Sequence, residues 1–149
     1  MRIVVQRVQS ASVTVEDKLI SGIAKGLMVL LGAEEGDSDA DAAFIADKIV
    51  ALRIFEDEEG KMNLAIDDVG GEVLLVSQFT LLGDARKGRR PSFIKAMQPH
   101  PASALCDKVA AGIAAKGITV KQGVFGADMQ VALVNDGPVT ILLDSKKLF

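Results

Sequence analysis

The sequence predicts an α+β fold: a single domain spanning residues 1–149, with curved, mainly antiparallel β-sheets in a barrel-like arrangement and two main helices. Three observations lead there. Short apolar, β-rich runs recur along the chain, at residues 2–8, 13–15, 19–23, 27–31, 73–76, 119–122, 129–134 and 139–143. Only two stretches, one after Ser38 and one from Pro101, carry apolar residues at helical spacing. A chain of 149 residues with 49% hydrophobic content is sized for one core and is too apolar to stay disordered.

Taken in order, Arg2–Val8 reads as a first strand, and Val13 and Val15 alternate with Thr14 in a second. Asp17-Lys18 turns into Leu19–Ile23, and Lys25-Gly26 turns into Leu27–Leu31, an unbroken apolar run suited to a central strand. This opening predicts an antiparallel meander. Beyond the acidic loop Ala33–Asp37, Ser38 is placed to cap a helix, with Asp41 three residues on in capping-box position. Ala42, Ile45, Ile49 and Leu52 share one face of that helix. Arg53–Phe55 reads as a brief strand, and Glu56–Asn63 as a charged turn region around Gly60. Gly70-Gly71 leads into Val73–Val76, a buried strand, whereas Gly83–Pro99 has no period. Pro101 suits the first turn of a helix that runs through Lys116 and stops at Gly117, with Leu105, Val109 and Ile113 on one face. Thr119–Gln122, Met129–Val134 and Val139–Leu143 close the chain as strands.

Composition removes several classes of function. No apolar run approaches the roughly 20 residues that span a bilayer, and no cleavage pattern follows the short apolar start. No membrane partner is expected. The lone Cys106 excludes an internal disulfide and points to a reducing, cytoplasmic setting. A net charge of −3 and a pI near 5.2 argue against a broad, nonspecific nucleic-acid surface, while leaving room for a local basic patch. With no Trp or Tyr, base stacking would fall to one of six Phe residues. His100 is the only histidine, and no Cys, His or carboxylate cluster has metal-ligand spacing. Nucleophile-elbow, phosphate-loop and dinucleotide signatures are absent as well. An enzyme built from these residues is expected to work without metal, cofactor or a conventional base.

Chemistry concentrates where the strand Val73–Val76 ends. Ser77, Gln78 and Thr80 place three hydrogen-bonding side chains around Phe79, and a buried polar group left unpaired costs ~1–3 kcal/mol. They read either as a strand end satisfied by neighbouring backbone, or as the floor of a site whose backbone N–H groups aim at a carbonyl oxygen. Arg86, Lys87, Arg89 and Arg90 follow closely, as a solvated loop or as cations holding a few phosphates. Asn135-Asp136-Gly137-Pro138 is a turn by residue type. Yet Gly137 can present bare backbone to a ligand, and X–Pro is the context in which a cis peptide is inexpensive, so a rigid steric gate is the alternative.

Several of these segments together resemble one family. Ser77-Gln78-Phe79-Thr80-Leu81 and Asn135-Asp136-Gly137-Pro138-Val139-Thr140 resemble the paired signature motifs of the D-aminoacyl-tRNA deacylases, which proofread chirality. Gln6-Arg7-Val8, Gly60-Lys61-Met62-Asn63, Arg90-Pro91-Ser92-Phe93 and Ala127-Asp128-Met129-Gln130-Val131 support the likeness, in the expected order along the whole chain. The resemblance implies a homodimer with its sites at the subunit interface, where the Ser77–Thr80 strand of one subunit faces a cis Gly137-Pro138 of its partner. It further implies that Phe125 and Met129 line a pocket for the terminal adenosine at the 3′ end of tRNA, and that Arg7 braces the Gly-Pro loop. The expected activity is hydrolysis of D-aminoacyl-tRNA and of glycyl-tRNA mischarged on tRNA-Ala. Backbone N–H groups at Phe79 and Thr80 would stabilise the oxyanion, assisted by the tRNA itself. An RNA-end binding module, a dimerising scaffold and an editing domain for another misacylated tRNA are the competing readings.

Overall fold

The structure is a computed structural model and describes residues 1–149. Its strands are β1 (Arg2–Val15), β2 (Lys18–Ile23), β3 (Gly26–Gly32), β4 (Phe55–Glu56), β5 (Met62–Leu64), β6 (Glu72–Ser77), β7 (Val120–Gln122) and β8 (Gln130–Asp144). The two expected helices are present, α1 (Asp39–Ala51) and α2 (Pro99–Ala114), the second starting two residues before Pro101.

β1 is the hub of a sheet that curls almost into a barrel. It pairs antiparallel along its length with β8, from Arg2 opposite Asp144 to Thr14 opposite Gln130. It also pairs antiparallel with β3 through its first half and with β2 through its second. β6 then adds to β3 in parallel, and β7 to β6. Those parallel steps follow from connectivity, because α1 lies between β3 and β6 and α2 between β6 and β7, the crossovers that parallel neighbours need. β4 and β5 form a separate antiparallel pair.

The strand layout differs from expectation in several respects, among them β4 and β5, which pair across the expected charged turn region at Glu56–Asn63. The predicted pair of opening strands is one strand, continuous through Gln9 and Ser10, whose pairing shifts between Val8 and Ser10 as it passes from β3 to β2. The opening is therefore no meander, since β2 and β3 both pair with β1 and the order is β2-β1-β3. The two closing strands are likewise one, and the turn expected at Asn135–Pro138 is a wide bulge. Gln6 pairs with Thr140 and Val8 with Asn135, so Asp136, Gly137, Pro138 and Val139 lie opposite Arg7 alone.

Alternation along the strands sends side chains to two cores. Ile3, Val5, Leu27, Val29, Leu31, Val73 and Leu75 pack under α1 and α2, meeting Ile45, Ile49, Val109 and Ile113. Val8, Val13, Met28, Leu74 and Val76 form the second cluster, on the opposite face. The helices approach closely at Gly112, where an added Cβ would stand 2.9 Å from the Cβ of Ala46. The capping box forms as expected, with the Ser38 N–H donating to Asp41 Oδ2 at 2.8 Å.

Candidate active site

β6 leaves the sheet at the Ser77-Gln78-Phe79-Thr80 segment. The Gln78 N–H still donates to the Leu31 carbonyl at 2.7 Å, after which Phe79–Leu82 wind into one 3-10 turn. The turn begins with the Leu81 N–H donating to the Gln78 carbonyl and ends with the Gly83 N–H donating to the Thr80 carbonyl. Its first two N–H groups, those of Phe79 and Thr80, have no acceptor inside the turn and none in the surrounding loops. Glycines let the turn sit so close. A Cβ on Gly32 would meet Leu82 Cδ2 at 2.5 Å and the Gln78 oxygen at 2.8 Å, and a Cβ on Gly83 would meet Phe93 Cε1 at 2.9 Å. The Thr80 hydroxyl accepts a hydrogen bond from the Gln78 amide, with no basic side chain hydrogen-bonded to it.

A cavity of about 570 Å³ opens against this strand end. Ser77, Gln78 and Phe79 form one wall, Phe125 and Met129 another, and most of the lining is apolar. Volume and chemistry suit a ligand of nucleoside size, held by shape and stacking with few polar contacts. Gly123 makes the Met129 wall possible, because a Cβ there would stand 2.7 Å from the Met129 sulfur. Cys106 on α2 also lines the cavity, but burial, with a smaller contribution from Asp107, pushes its thiol up to about 11, so it is no nucleophile at neutral pH.

Most of the other lining residues escaped the sequence reading as parts of a site, Phe93, Met97 and Ala102 among them. Phe93 packs edge-on against the Phe79 ring, with centroids 5.1 Å apart, and Met97 and Ala102 continue the wall. The only available signal was the Arg90-Pro91-Ser92-Phe93 motif, since the surrounding stretch has no period. The intervening loop is pinned at its base by two backbone hydrogen bonds between Asp84 and Ser92. Within it, Arg86 forks onto Asp84, holding that carboxyl well below the usual carboxylate range through hydrogen bonds and charge.

The Gly137–Pro138 segment forms a second group, away from the cavity lining. Arg7, 5% exposed beneath the bulge, donates from Nε to the Asp136 carbonyl at 2.9 Å and from Nη1 to the Ile54 carbonyl at 2.7 Å. The Asn135 side chain clamps the bulge from the other side, accepting from the Val139 N–H at 2.7 Å and donating to the Val139 carbonyl at 3.1 Å. Gly137 has φ +139°, and a Cβ there would stand 2.8 Å from Val139 Cγ2 and 3.0 Å from Arg7 Nη2. The Gly137–Pro138 peptide is cis, and both residues are exposed. One chain thus gathers Ser77, Gln78, Phe79, Phe125 and Met129 around the cavity, with Thr80 beside it on the turn. Arg7, Gly137 and Pro138 are held together elsewhere, with Arg7 buried beneath the exposed Gly137–Pro138.

Known proteins share this architecture. The family described as D-Tyr-tRNA(Tyr) deacylase matches residues 4–144. A protein of Anaeromyxobacter dehalogenans named D-aminoacyl-tRNA deacylase is 59% identical over 149 residues, covering all of both chains. One of the same name from Thermoanaerobacter pseudethanolicus is 56% identical, again end to end. Among solved structures, one described as c-Myc DNA unwinding element binding protein superposes with a TM-score of 0.90 at 42% identity, over 97% of this chain and 98% of that one. A probable eukaryotic D-amino acid tRNA deacylase, 20% identical, shares the fold with a TM-score of 0.81 over 95% and 97% of the two chains. On a match that spans nearly its whole length, the chain belongs to the D-Tyr-tRNA(Tyr) deacylase family.

Proposed function

We propose that this protein is a D-aminoacyl-tRNA deacylase that hydrolyses the ester between a D-amino acid and the terminal ribose of tRNA, acting as a single domain in the cytoplasm. The observation that carries the reading is the pair of unclaimed N–H groups on Phe79 and Thr80, at the rim of an apolar, nucleoside-sized cavity. Water adds to the ester carbonyl, the carbonyl oxygen becomes an oxyanion, and the intermediate collapses by expelling the ribose oxygen, which takes up a proton. Donors fixed where that charge develops are the natural stabilisers, and removal of one such donor typically costs ~2.7–4 kcal/mol. Thr80 has no base to make it a nucleophile, so activation of the water falls to the neighbouring ribose hydroxyl of the substrate.

Selectivity is assigned to the Gly137–Pro138 segment, supplied by a second copy of the chain to complete each site. Two things support this: the segment is rigidly braced by Arg7 and Asn135, and it is exposed rather than used within its own chain. Recognition of one methylene gives only ~1–3 kcal/mol of discrimination, thin protection for the abundant L-aminoacyl-tRNAs. A wall that clashes with any L side chain needs no recognition of the D side chain, and it leaves glycine unopposed. Glycyl-tRNA is therefore a second substrate, and the family resemblance narrows it to glycine mischarged on tRNA-Ala.

The test is hydrolysis of matched D-, L- and glycyl-tRNA by the purified protein in excess chelator. Loss of the D and glycyl esters with the L ester spared is expected. Equal loss of D and L esters would point to a general esterase, and loss of D with glycyl spared would end the steric gate. Binding without turnover would favour a nucleic-acid binding module, a reading for which the name of the 42% identical structural neighbour gives some ground.

A further inference from the structure

Asp84 to Ser92 form a loop whose two ends are fixed to the cavity. It leaves one residue after the Phe79–Leu82 turn and returns one residue before Phe93, whose ring packs on Phe79. The Asp84–Ser92 backbone pair closes its base, so the loop is held as a unit between the cavity-lining residues Phe79 and Phe93. It carries four cations and one carboxylate, and these are not equivalent. Arg86 is engaged by Asp84 through a forked pair that shapes the loop and neutralises its only acid. Lys87, Arg89 and Arg90 are exposed, and none forms an ion pair or a side-chain hydrogen bond within the chain.

Three unpartnered cations on a tethered loop are a departure in a protein of net charge −3. Repulsion among them is tolerated without any internal counter-charge, an arrangement suited to a polyanion arriving from outside. The cavity takes the end of a strand, on the reading proposed above, and the phosphates just behind that end must pass the cavity mouth. We infer that Lys87, Arg89 and Arg90, and not Arg86, form the docking surface for the phosphate backbone of the single-stranded 3′ end of the RNA substrate. Arg86 serves as the loop's internal brace.

Phosphate contacts made by cations release counterions, and for single strands each contributes about 0.7 to the salt dependence of log affinity. Three contacts therefore add about 2 to the slope, so raising salt from about 50 to about 200 mM weakens binding about 20-fold more than it would without them. The experiment compares the protein with its K87A/R89A/R90A variant, measuring kcat/KM for a D-aminoacyl-tRNA across that salt range. The same salt series is run with a D-aminoacyl-adenosine ester, which has no phosphate. On tRNA the variant is expected to be slower at low salt and to show a salt slope smaller by about 2, and on the adenosine ester the two proteins are expected to match. Equal salt slopes on tRNA, or an equal loss on the adenosine ester, would overturn the docking surface. A wild-type protein that cleaves neither D ester at any salt would instead overturn the deacylase reading on which this inference rests. Because all three side chains are exposed and unpaired, the variant is expected to keep the wild-type unfolding temperature.

Discussion

Thr80 is the residue on which two chemistries part. Its hydroxyl accepts from the Gln78 amide and touches no base, while its backbone N–H is free. If the backbone does the work, Thr80→Ala keeps kcat for a D-aminoacyl-tRNA within about ten-fold of wild type, a loss below what removal of an oxyanion donor costs. If Thr80 were an acyl-accepting nucleophile, the same change would abolish turnover, and rapid-mixing kinetics would lose any burst of acyl-enzyme. Glycines matter here as much as side chains. Gly32 lies directly beneath the 3-10 turn, and its replacement by Ala must push Leu82 or the Gln78 carbonyl aside. A displacement of about 1 Å in catalytic groups can cost about 100-fold in rate. Gly32→Ala is therefore expected to lower kcat well beyond what its loss of unfolding stability explains, and comparison of the two measurements checks it.

At the scale of elements, α1 offers a test by pH. Burial pushes the Asp41 carboxyl up, but hydrogen bonds from the Ser145 hydroxyl and from Ser38, with the Met1 ammonium nearby, together hold it below its ordinary value of 3.8. A carboxyl depressed in the folded state stabilises the fold above its unfolded value and loses that contribution as pH falls through the folded value. Ser38→Ala should thus cost about 1 kcal/mol at pH 7, with the difference from wild type narrowing as pH drops below about 4. Urea unfolding at several pH values reads both effects, and a difference that stays constant in acid would dissociate Asp41 from the cap.

The same helix shows how much of the fold was legible. Ser38 and Asp41 announce the cap because capping is local, and the Val73–Val76 strand with its polar end is equally plain for the same reason. The long strands were not legible. Gln9 and Ser10 break the apolar alternation of β1, and Asn135–Pro138 are turn residues that the structure uses as a bulge within β8. That bulge exists because Arg7, more than 120 positions away, fills the gap and binds the Asp136 carbonyl, a long-range cause with no trace in local pattern. Phe93 and Met97 were hidden likewise: a loop anchored by Asp84–Ser92 pairing and an aromatic contact leaves no period to read. Of the candidate site, the sequence supplied the motif residues, and the resemblance set the Ser77–Thr80 strand against a Gly137-Pro138 from another subunit; within one chain the two groups do lie apart.

That partition is the feature of the whole molecule that most shapes its proposed action. The cavity with the free N–H groups and the braced Gly137–Pro138 bulge are both complete in one chain, yet they do not meet there. On the reading proposed above, two copies pair so that each bulge meets the other's cavity, and the symmetry of such a pair gives two equivalent sites. The gate then answers to a single substitution. In Pro138→Ala the Arg7 and Asn135 braces remain, because they hold Asp136 and Val139 rather than the ring. The most direct measurement is the ratio of L- to D-aminoacyl-tRNA hydrolysis by this variant and by wild type. A wall at Pro138 predicts that the ratio rises at least about ten-fold through faster loss of the L ester, with the D rate changed only a few-fold, since a lost clash is worth more than ~1.4 kcal/mol. An L ester still fully spared, with the D rate falling instead, would contradict rejection by this segment and place the chirality of the site elsewhere.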